Sequence, residues 1–197
     1  MMKKPISNIE VYGLDRAIKA SKYPMLTDIS KATTDITGTV KRLASAPRGS
    51  AHDNFISGIL TKFDLTLTNK AWVEAERYHW LEIDSSQSTM HMISKMEIGS
   101  NCCEYVSKAV IHEVERLKAI YLETKDSEDY LRLLYNVPSG FMLTAGMSTN
   151  YQQLKTIYYQ RRNHRLPEWR LFCKQLEGEF PMFKELILDP GKERDNA

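Results

Sequence analysis

The chain has 197 residues, of which 42% are hydrophobic and 26% charged, and this is enough for one domain with a buried core. Lys and Arg outnumber Asp and Glu by only 27 to 25, which argues against general binding to nucleic acid or to anionic membranes. No apolar run approaches the roughly 18 residues of a membrane-spanning helix, and the segment MMKKPISNIE lacks the apolar centre of a signal peptide. We therefore expect a cytoplasmic protein that binds anions only locally.

The three cysteines form a poor disulfide framework, because Cys102 and Cys103 are adjacent, and this fits a reducing compartment. There is no CxxC and no spaced set of His and Cys, so we expect no metal site. Cys173 falls on an apolar helical stripe, which favours a small core residue over a nucleophile.

Apolar spacing predicts the elements of the N-terminal third of the chain. Apolar residues within 6–11 indicate a first strand, and a short helix follows over 13–20. Residues 21–50 mix Ser, Thr, Pro and Gly with weak periodicity, which is typical of a loop-rich excursion with room for one short helix. Strict alternation over 59–68 predicts a strand with one wet face.

Further along, helical and extended patterns alternate. Residues 69–80 look helical, 81–92 look extended or looped, and 123–129 form a charged turn. A helix begins near Asn150, and Pro167 suits the first turn of another. A long helix between these regions is marked by one apolar stripe, made of Val106, Val110, Val114, Leu117 and Tyr121. Interspersed strands and helices predict an α/β or α+β protein, here a single domain over 1–197 with a solvated tail at 188–197.

The segment YYQRRNHRLPEW concentrates positive charge beside core residues. On a helix through Leu154, Arg161 continues the apolar stripe, whereas Arg162 falls about 100° away. A guanidinium stays charged when buried, so an inward Arg161 needs a carboxylate, a phosphate or a set of carbonyls, and the two interpretations are an internal ion pair and a bound phosphate. Arg162, His164 and Arg165 cluster where the helix should break, and such a break can present several donors to one anion.

The hydroxyl-rich segment DSSQSTMH also carries candidate chemistry. Ser86 and Ser88 can donate hydroxyls to a phosphate, or they can cap the next element. A Ser-His-Asp hydrolase can be assembled from either serine with His79 and Asp84, but the chain has no GxSxG elbow.

Four segments, in order, resemble the flavin-dependent thymidylate synthases, and most closely their small phage versions. These segments are SAHDNFISGILTKFDLTLT, AERYHWLEIDSSQSTMH, VPSGFMLTAGMSTNYQQL and YYQRRNHRLPEWRLF. The first has His52 and Asp53 at the family's His-Glu pair. In the second, only His79 and Ser88 match the signature Arg-His-Arg-x-x-Ser-x-x-Glu-x-Ser-x-Arg. The third has Asn150 at the Asn of the family's Thr-x-Asn-x-Arg.

The fourth segment aligns Arg161 with the arginine on the family's nucleotide-binding helix. Several family arginines are replaced by uncharged residues, namely by Tyr78, Trp80, Met90 and Gln152. Other arginines must supply the missing charge, and the nearest candidates are Arg77, Arg132, Arg162 and Arg165.

The resemblance implies a homotetramer of α/β subunits, each with a mixed or antiparallel central sheet flanked by helices, and with active sites between chains. It implies that FAD, reduced by NADPH, relays a one-carbon unit from methylenetetrahydrofolate to carbon 5 of a dUMP-like pyrimidine nucleotide. The implied cofactor-binding residues are His52, Asp53, His79, Asn150 and Arg165. The implied substrate-binding residues are Ser86, Ser88, Arg161 and Arg162. A phage-encoded chain would act in the host cytoplasm, and the alternative function is a catalytically lapsed, sequestering or regulatory nucleotide-binding protein.

Overall fold

A four-stranded antiparallel sheet organises the computed structural model, which describes residues 4–188. The strands are β1 (Ile6–Tyr12), β2 (Leu60–Thr68), β3 (Glu82–Ser86) and β4 (Met142–Asn150), in the spatial order β1-β2-β4-β3. The predicted class, α/β or α+β with a mixed or antiparallel central sheet, is confirmed, and the sheet is antiparallel throughout. The tail predicted at 188–197 lies outside the described residues, apart from residue 188.

Helices connect the strands and pack against the apolar face of the sheet. They are α1 (Leu14–Ala20), α2 (Gly38–Ala44), α3 (Asn69–Ala75), α4 (Thr89–Met92), α5 (Ile98–Asn101), α6 (Lys108–Thr124), α7 (Ser127–Tyr135), α8 (Tyr151–Arg161), α9 (Pro167–Glu179) and α10 (Phe183–Ile187). Short 3₁₀ turns lie at Tyr23–Met25, Ile29–Lys31 and Asn54–Gly58. Within residues 4–188 no helix is both long enough and apolar enough to span a bilayer.

Strand β2 has one buried face and one wetter face, as its alternation predicted. Phe63 and Leu65 are at most 2% exposed, whereas Lys62 between Thr61 and Phe63 points to solvent. Phe63 packs against α9, with its ring centroid 6.3 Å from that of Phe172. This apolar face and α8, α9 and α10 enclose the main core, because each of these helices turns an apolar stripe toward the sheet.

A smaller core lies beneath α6 and α7, and it corrects part of the predicted stripe. Val114 and Leu117 are buried as predicted, whereas Val110 is 41% exposed. Val106 precedes the helix, which begins at Lys108. The second core is too small to cover the first turn of α6, so the stripe is buried only in its middle.

Several elements differ from the predictions. The helix predicted over 69–80 ends at Ala75. The charged turn predicted over 123–129 shrinks to two residues, because the Asp126 carboxylate caps α7 by accepting from the N–H groups of Glu128 and Asp129. No sequence pattern predicted α7, α10 or β4, although β4 pairs with both β2 and β3 at the centre of the sheet.

The segment predicted as a loop-rich excursion contains one α-helix, α2, and the chain just after it is tied to α8 by a buried ion pair. Lys155 Nζ lies 2.8 Å from Asp53 Oδ2, and the two side chains are 7% and 0% exposed. Lys155 also donates to the carbonyl oxygens of Ala44 and Ala46, at 2.7 and 2.5 Å. Residues 46–53, here called the anchored loop, are therefore held against the helix.

We expect Lys155→Met to lower the free energy of unfolding by about 3–5 kcal/mol, because it leaves Asp53 buried without its cation. Chemical denaturation measures this loss. The matched control is Lys62→Met, since Lys62 pairs with Asp84 at the surface, where the side chains are 58% and 44% exposed. Equal losses in the two variants would contradict the anchoring role of Lys155.

Candidate functional site

A cleft of about 390 Å³ lies where the end of α3, the anchored loop and α8 meet. Its lining residues are Arg48, Arg77, Tyr78, His79, Gln153, Thr156, Gln160 and Arg161. Three are arginines, one is a histidine and none is a carboxylate, so the lining favours an anion. Guanidinium groups in such a cleft match the geometry of phosphate oxygens.

Helix α8 supplies one wall of the cleft. Gln153, Thr156 and Gln160 are spaced so that they share one face of the helix, opposite a core face that includes Leu154. The helix begins after Asn150, whose side-chain oxygen accepts a hydrogen bond from Gln153 N–H at 3.0 Å. Asn150 therefore acts as an N-cap, and its predicted contact with a cofactor stays a prediction.

Arg161 points inward, as its helical position predicted. Its Nη1 lies 2.7 Å from Glu74 Oε2, its Nε donates to the Tyr78 hydroxyl at 2.7 Å, and its side chain is 17% exposed. The guanidinium carbon also lies 5.0 Å from the centroid of the Trp169 ring. Of the two partners that the sequence left open for Arg161, the structure provides the carboxylate.

Tyr78 connects Arg161 to the cleft. Its hydroxyl donates to Gln160 Oε1 at 2.9 Å while it accepts from Arg161. Burial raises the pKa of Tyr78 above its ordinary value, and the nearby Arg161 opposes that shift. The phenol stays protonated near neutral pH and serves as a fixed hydrogen-bonding link.

The other basic residues after α8 have different partners. His164 Nε2 lies 3.3 Å from the same Glu74 oxygen, and its Nδ1 accepts from Leu166 N–H. The guanidinium carbon of Arg162 lies 5.5 Å from the centroid of the Tyr159 ring. Neither Arg162 nor the exposed Arg165 is among the lining residues of this cleft, and their predicted assistance to a bound anion stays a prediction.

Arg48 is the charged lining residue that the sequence analysis did not predict. It lies in the anchored loop, where its Nη1 donates to Thr156 Oγ1 at 2.8 Å. The segment APRGS shows no periodicity, so its only sequence signal was a basic residue in a Pro- and Gly-containing turn. Arg77 was one of the four candidates for replacing lost charge, and with His79 it forms the α3 side of the cleft.

Residues predicted to line a flavin site, His52 and Asp53, differ in exposure. His52 is exposed, whereas Asp53 is fully buried with its carboxylate against Lys155 and Gln152. Asp53 thus fixes the backbone that carries Arg48. The predicted contact of either residue with flavin stays a prediction.

The candidate serines lie away from the arginines. Ser86 lines a separate cavity of about 140 Å³ between α3 and the β3–β4 edge of the sheet. The remaining lining residues of that cavity are Asn69, Trp72, Glu76, Ile83, Gln87, Leu143, Thr144 and Ala145. Ser88 is half-buried just before α4. Because the two linings share no residue, one chain does not bring Ser86 and Arg161 to the same cavity.

The nucleophilic alternatives find no support in the geometry. Asp84 pairs with Ser148 and Lys62, and the Ser148 hydroxyl holds the pKa of Asp84 below its ordinary value. Cys173 is 2% exposed, and burial raises the pKa of its thiol to about 12, so its assignment to the core is confirmed. Within residues 4–188 no group of three or more His, Cys, Asp or Glu side chains could hold a metal ion.

No protein-family model and no curated protein matches this sequence. Solved structures do match, beginning with the flavin-dependent thymidylate synthase ThyX from Helicobacter pylori, complexed with FAD and dUMP. It has 14% sequence identity and a TM-score of 0.71, covering 92% of this chain and 100% of that chain. A second Helicobacter pylori ThyX structure with FAD and dUMP has 15% identity and a TM-score of 0.69, covering 89% and 92%.

A third match is the UMP/dUMP methylase PolB from Streptomyces cacaoi, bound with 5-Br dUMP. It has 14% identity and a TM-score of 0.59, covering 94% of this chain and 92% of that chain. At such identities the similarity defines the fold. The chain therefore has the fold of the flavin-dependent thymidylate synthases, as the resemblance in its sequence predicted.

Proposed function

We propose that this protein transfers a one-carbon (methyl) unit to carbon 5 of a deoxyuridylate-type nucleotide, using FAD, NADPH and methylenetetrahydrofolate. The observation that carries the proposal is the arginine-lined cleft without carboxylates. It occurs on a fold shared with proteins solved in complex with FAD and dUMP, or with a dUMP analogue. Both kinds of ligand carry phosphate, which is the chemistry that the cleft suits.

Arg48 and Arg77 are the residues that would hold the phosphate. Both are exposed at the cleft, and Arg48 is oriented by Thr156. Arg161 has its charge balanced by Glu74, so it would act mainly by fixing Tyr78 and Gln160 in the wall. The positive lining fits the diphosphate of FAD as well as a nucleotide monophosphate.

When bound, the flavin would supply the hydride-accepting ring, so the protein needs no nucleophile of its own. This agrees with the burial of Cys173 and with the hydrogen bonding of Asp84 to Ser148. The chain's own residues would then bind and orient the phosphate of the ligand. They would also shield that phosphate from carboxylates inside the protein. Glu74 is one such carboxylate, and it is paired with Arg161 and contacted by His164.

We expect Arg48→Ala and Arg77→Ala each to weaken binding of dUMP or FAD by about 1–3 kcal/mol, because each removes a charge-assisted contact. Isothermal titration calorimetry at fixed salt measures this change. The matched control is Arg116→Ala, since Arg116 pairs with Glu113 on exposed α6 and should leave affinity unchanged. An equal loss in all three variants would indicate attraction by net charge, and the cleft would lose its assigned role.

A homotetramer with sites between chains is part of the proposal. Ser86 and the arginine cleft do not meet within one chain, so a neighbouring chain is needed to bring them together. Helices α6 and α7 also expose apolar side chains that a partner could cover. These are Val110, Leu122, Leu131 and Tyr135, which are 41%, 44%, 40% and 83% exposed.

Multi-angle light scattering should give a mass of four 22.8 kDa chains at micromolar concentration. Leu131→Glu should dissociate the assembly, because it introduces charge into an apolar contact on α7. The control is Glu113→Gln, which alters an exposed pair on α6. A wild-type monomer would contradict a shared site.

The second candidate function is a nucleotide-binding protein that has lost the reaction. The charge balance at Arg161 favours it, because that arginine is committed to Glu74. The uncharged Tyr78 and Trp80 also stand where the resembled family has arginines. Such a protein would sequester or sense a pyrimidine nucleotide without turning it over.

We expect the purified protein to be yellow or to take up FAD, and to methylate a uridine monophosphate when NADPH and methylenetetrahydrofolate are present. A screen of uridine and cytidine monophosphates, read by mass spectrometry of the base, identifies the substrate. An Arg48→Ala/Arg77→Ala double variant is the negative control. Nucleotide binding with no flavin uptake and no product would favour the lapsed function, and binding of neither ligand would contradict both.

A further inference from the structure

Two glutamines on the α8 wall of the arginine cleft have their side-chain oxygens occupied within the protein. Gln160 Oε1 accepts from the Tyr78 hydroxyl at 2.9 Å, and Gln153 Oε1 accepts from Arg48 Nη1 at 3.5 Å. Both glutamines are lining residues of the cleft. A carboxamide has two donor hydrogens on its nitrogen besides its acceptor oxygen. What each glutamine has left to offer a ligand is therefore its donor nitrogen.

Tyr78 determines which way the Gln160 amide faces. The Tyr78 oxygen accepts from Arg161 Nε at 2.7 Å, so its own proton is donated elsewhere. Burial raises the pKa of Tyr78, and the phenol keeps that proton near neutral pH. Gln160 Oε1 accepts it, whereas a flipped amide would place N–H groups against the phenol proton. The Gln160 nitrogen is thus directed away from Tyr78.

Gln153 is the more buried of the two glutamines. It is 4% exposed, and within residues 4–188 its amide nitrogen has no hydrogen-bond partner. The nitrogen keeps access to solvent at the cleft that Gln153 lines. Buried polar groups almost always have a partner. An unused donor in the wall of a cavity therefore indicates a bound group that accepts from it.

Thr156 supplies the last side-chain oxygen of the lining, and this oxygen is occupied as well. It accepts from Arg48 at 2.8 Å and donates to the Gln152 carbonyl at 3.2 Å. Arginine has no acceptor, and His79 can turn either a donor or an acceptor nitrogen toward a ligand. The side chains of the cleft therefore present N–H donors almost exclusively.

A cleft that offers donors discriminates between oxyanions by the protons that they carry. Every oxygen of sulfate, of a fully ionised phosphate monoester or of a diphosphate within a dinucleotide can accept a hydrogen bond. A phosphate oxygen that keeps a proton must donate it, and without an acceptor in the cleft that hydrogen bond is lost on binding. The loss applies even when two anions carry equal charge.

We propose that Gln153 and Gln160 bind the ligand through their amide nitrogens and make the arginine cleft selective for oxyanions without a proton. This inference rests on the proposed function, which assigns an anion to the cleft. Arg48 and Arg77 attract the anion by charge, whereas the two glutamines discriminate by hydrogen bonding. The ligand group is a fully ionised phosphoryl group, which nucleotide monophosphates near neutral pH and the diphosphate of FAD both carry.

Sulfate and hydrogen phosphate provide the direct test. At mildly alkaline pH both ions carry a double negative charge, but only hydrogen phosphate carries a proton. Isothermal titration calorimetry at constant ionic strength should show sulfate binding to the wild type about tenfold more tightly, because hydrogen phosphate leaves one donor unpaired. Gln160→Glu should abolish or reverse this preference, since a carboxylate accepts the phosphate proton.

Separate titrations with dUMP and with FAD identify which phosphoryl group occupies the cleft. Gln160→Glu should weaken binding of that ligand by at least about tenfold, because an acceptor replaces a donor at nearly constant size. The matched control is Asn163→Asp, which makes the same amide-to-carboxylate change at an exposed residue outside the lining. Gln153→Met removes a donor without adding charge and should also weaken binding, with thermal melting as the check on folding.

The outcomes separate this inference from the proposed function. If hydrogen phosphate binds the wild type as tightly as sulfate, or if Gln160→Glu and Asn163→Asp lose equal affinity, the glutamines do not select the ligand and the proposed function stands. If the wild type binds none of sulfate, dUMP and FAD, both fail. If the preference for sulfate is present without flavin uptake or methyl transfer, the inference stands and the proposed reaction fails.

Discussion

The buried ion pair between Lys155 and Asp53 is the interaction on which the candidate site depends. Burial of this pair removes two charges from water, which is costly. Close contacts offset that cost, because the Lys155 ammonium lies against the Asp53 carboxylate and against two backbone carbonyl groups. These contacts fasten the anchored loop along α8. Arg48 lies in this loop, donates a hydrogen bond to Thr156 on α8 and remains exposed to solvent. The buried pair of Lys155 and Asp53 therefore helps to orient an exposed arginine at the cleft.

Positive charge at the site is divided between two tasks. Arg161 is neutralised by Glu74 and stacks near Trp169, where it stabilises the junction of α3, α8 and α9. Arg48 and Arg77 lack such burial and face the cleft. A buried guanidinium without a carboxylate would be costly, and an exposed one beside a carboxylate would attract an anion weakly. The arrangement avoids both situations.

The chain differs from the family that it resembles in the residues that bring charge to this region. In the resemblance of the sequence to that family, Tyr78 and Trp80 align with signature arginines, and the Tyr78 hydroxyl is hydrogen-bonded to Arg161 and Gln160 in the wall of the cleft. Arg48 and Arg77 supply positive charge from neighbouring positions.

The sequence by itself determined the features that depend on local periodicity: the wet and buried faces of β2, the inward direction of Arg161 and the start of α9 at Pro167. Only the tertiary structure decided the partners. Arg161 meets Glu74 across 87 positions, and Arg48 meets Thr156 across 108 positions. Strand β4 escaped prediction because its segment, which contains Gly146, has weak alternation and derives its strand state from two neighbours. The spacing of residues along the sequence predicts which face of a helix or strand a side chain occupies. It does not predict which residue packs against that face, because that residue comes from a distant segment that only folding brings close.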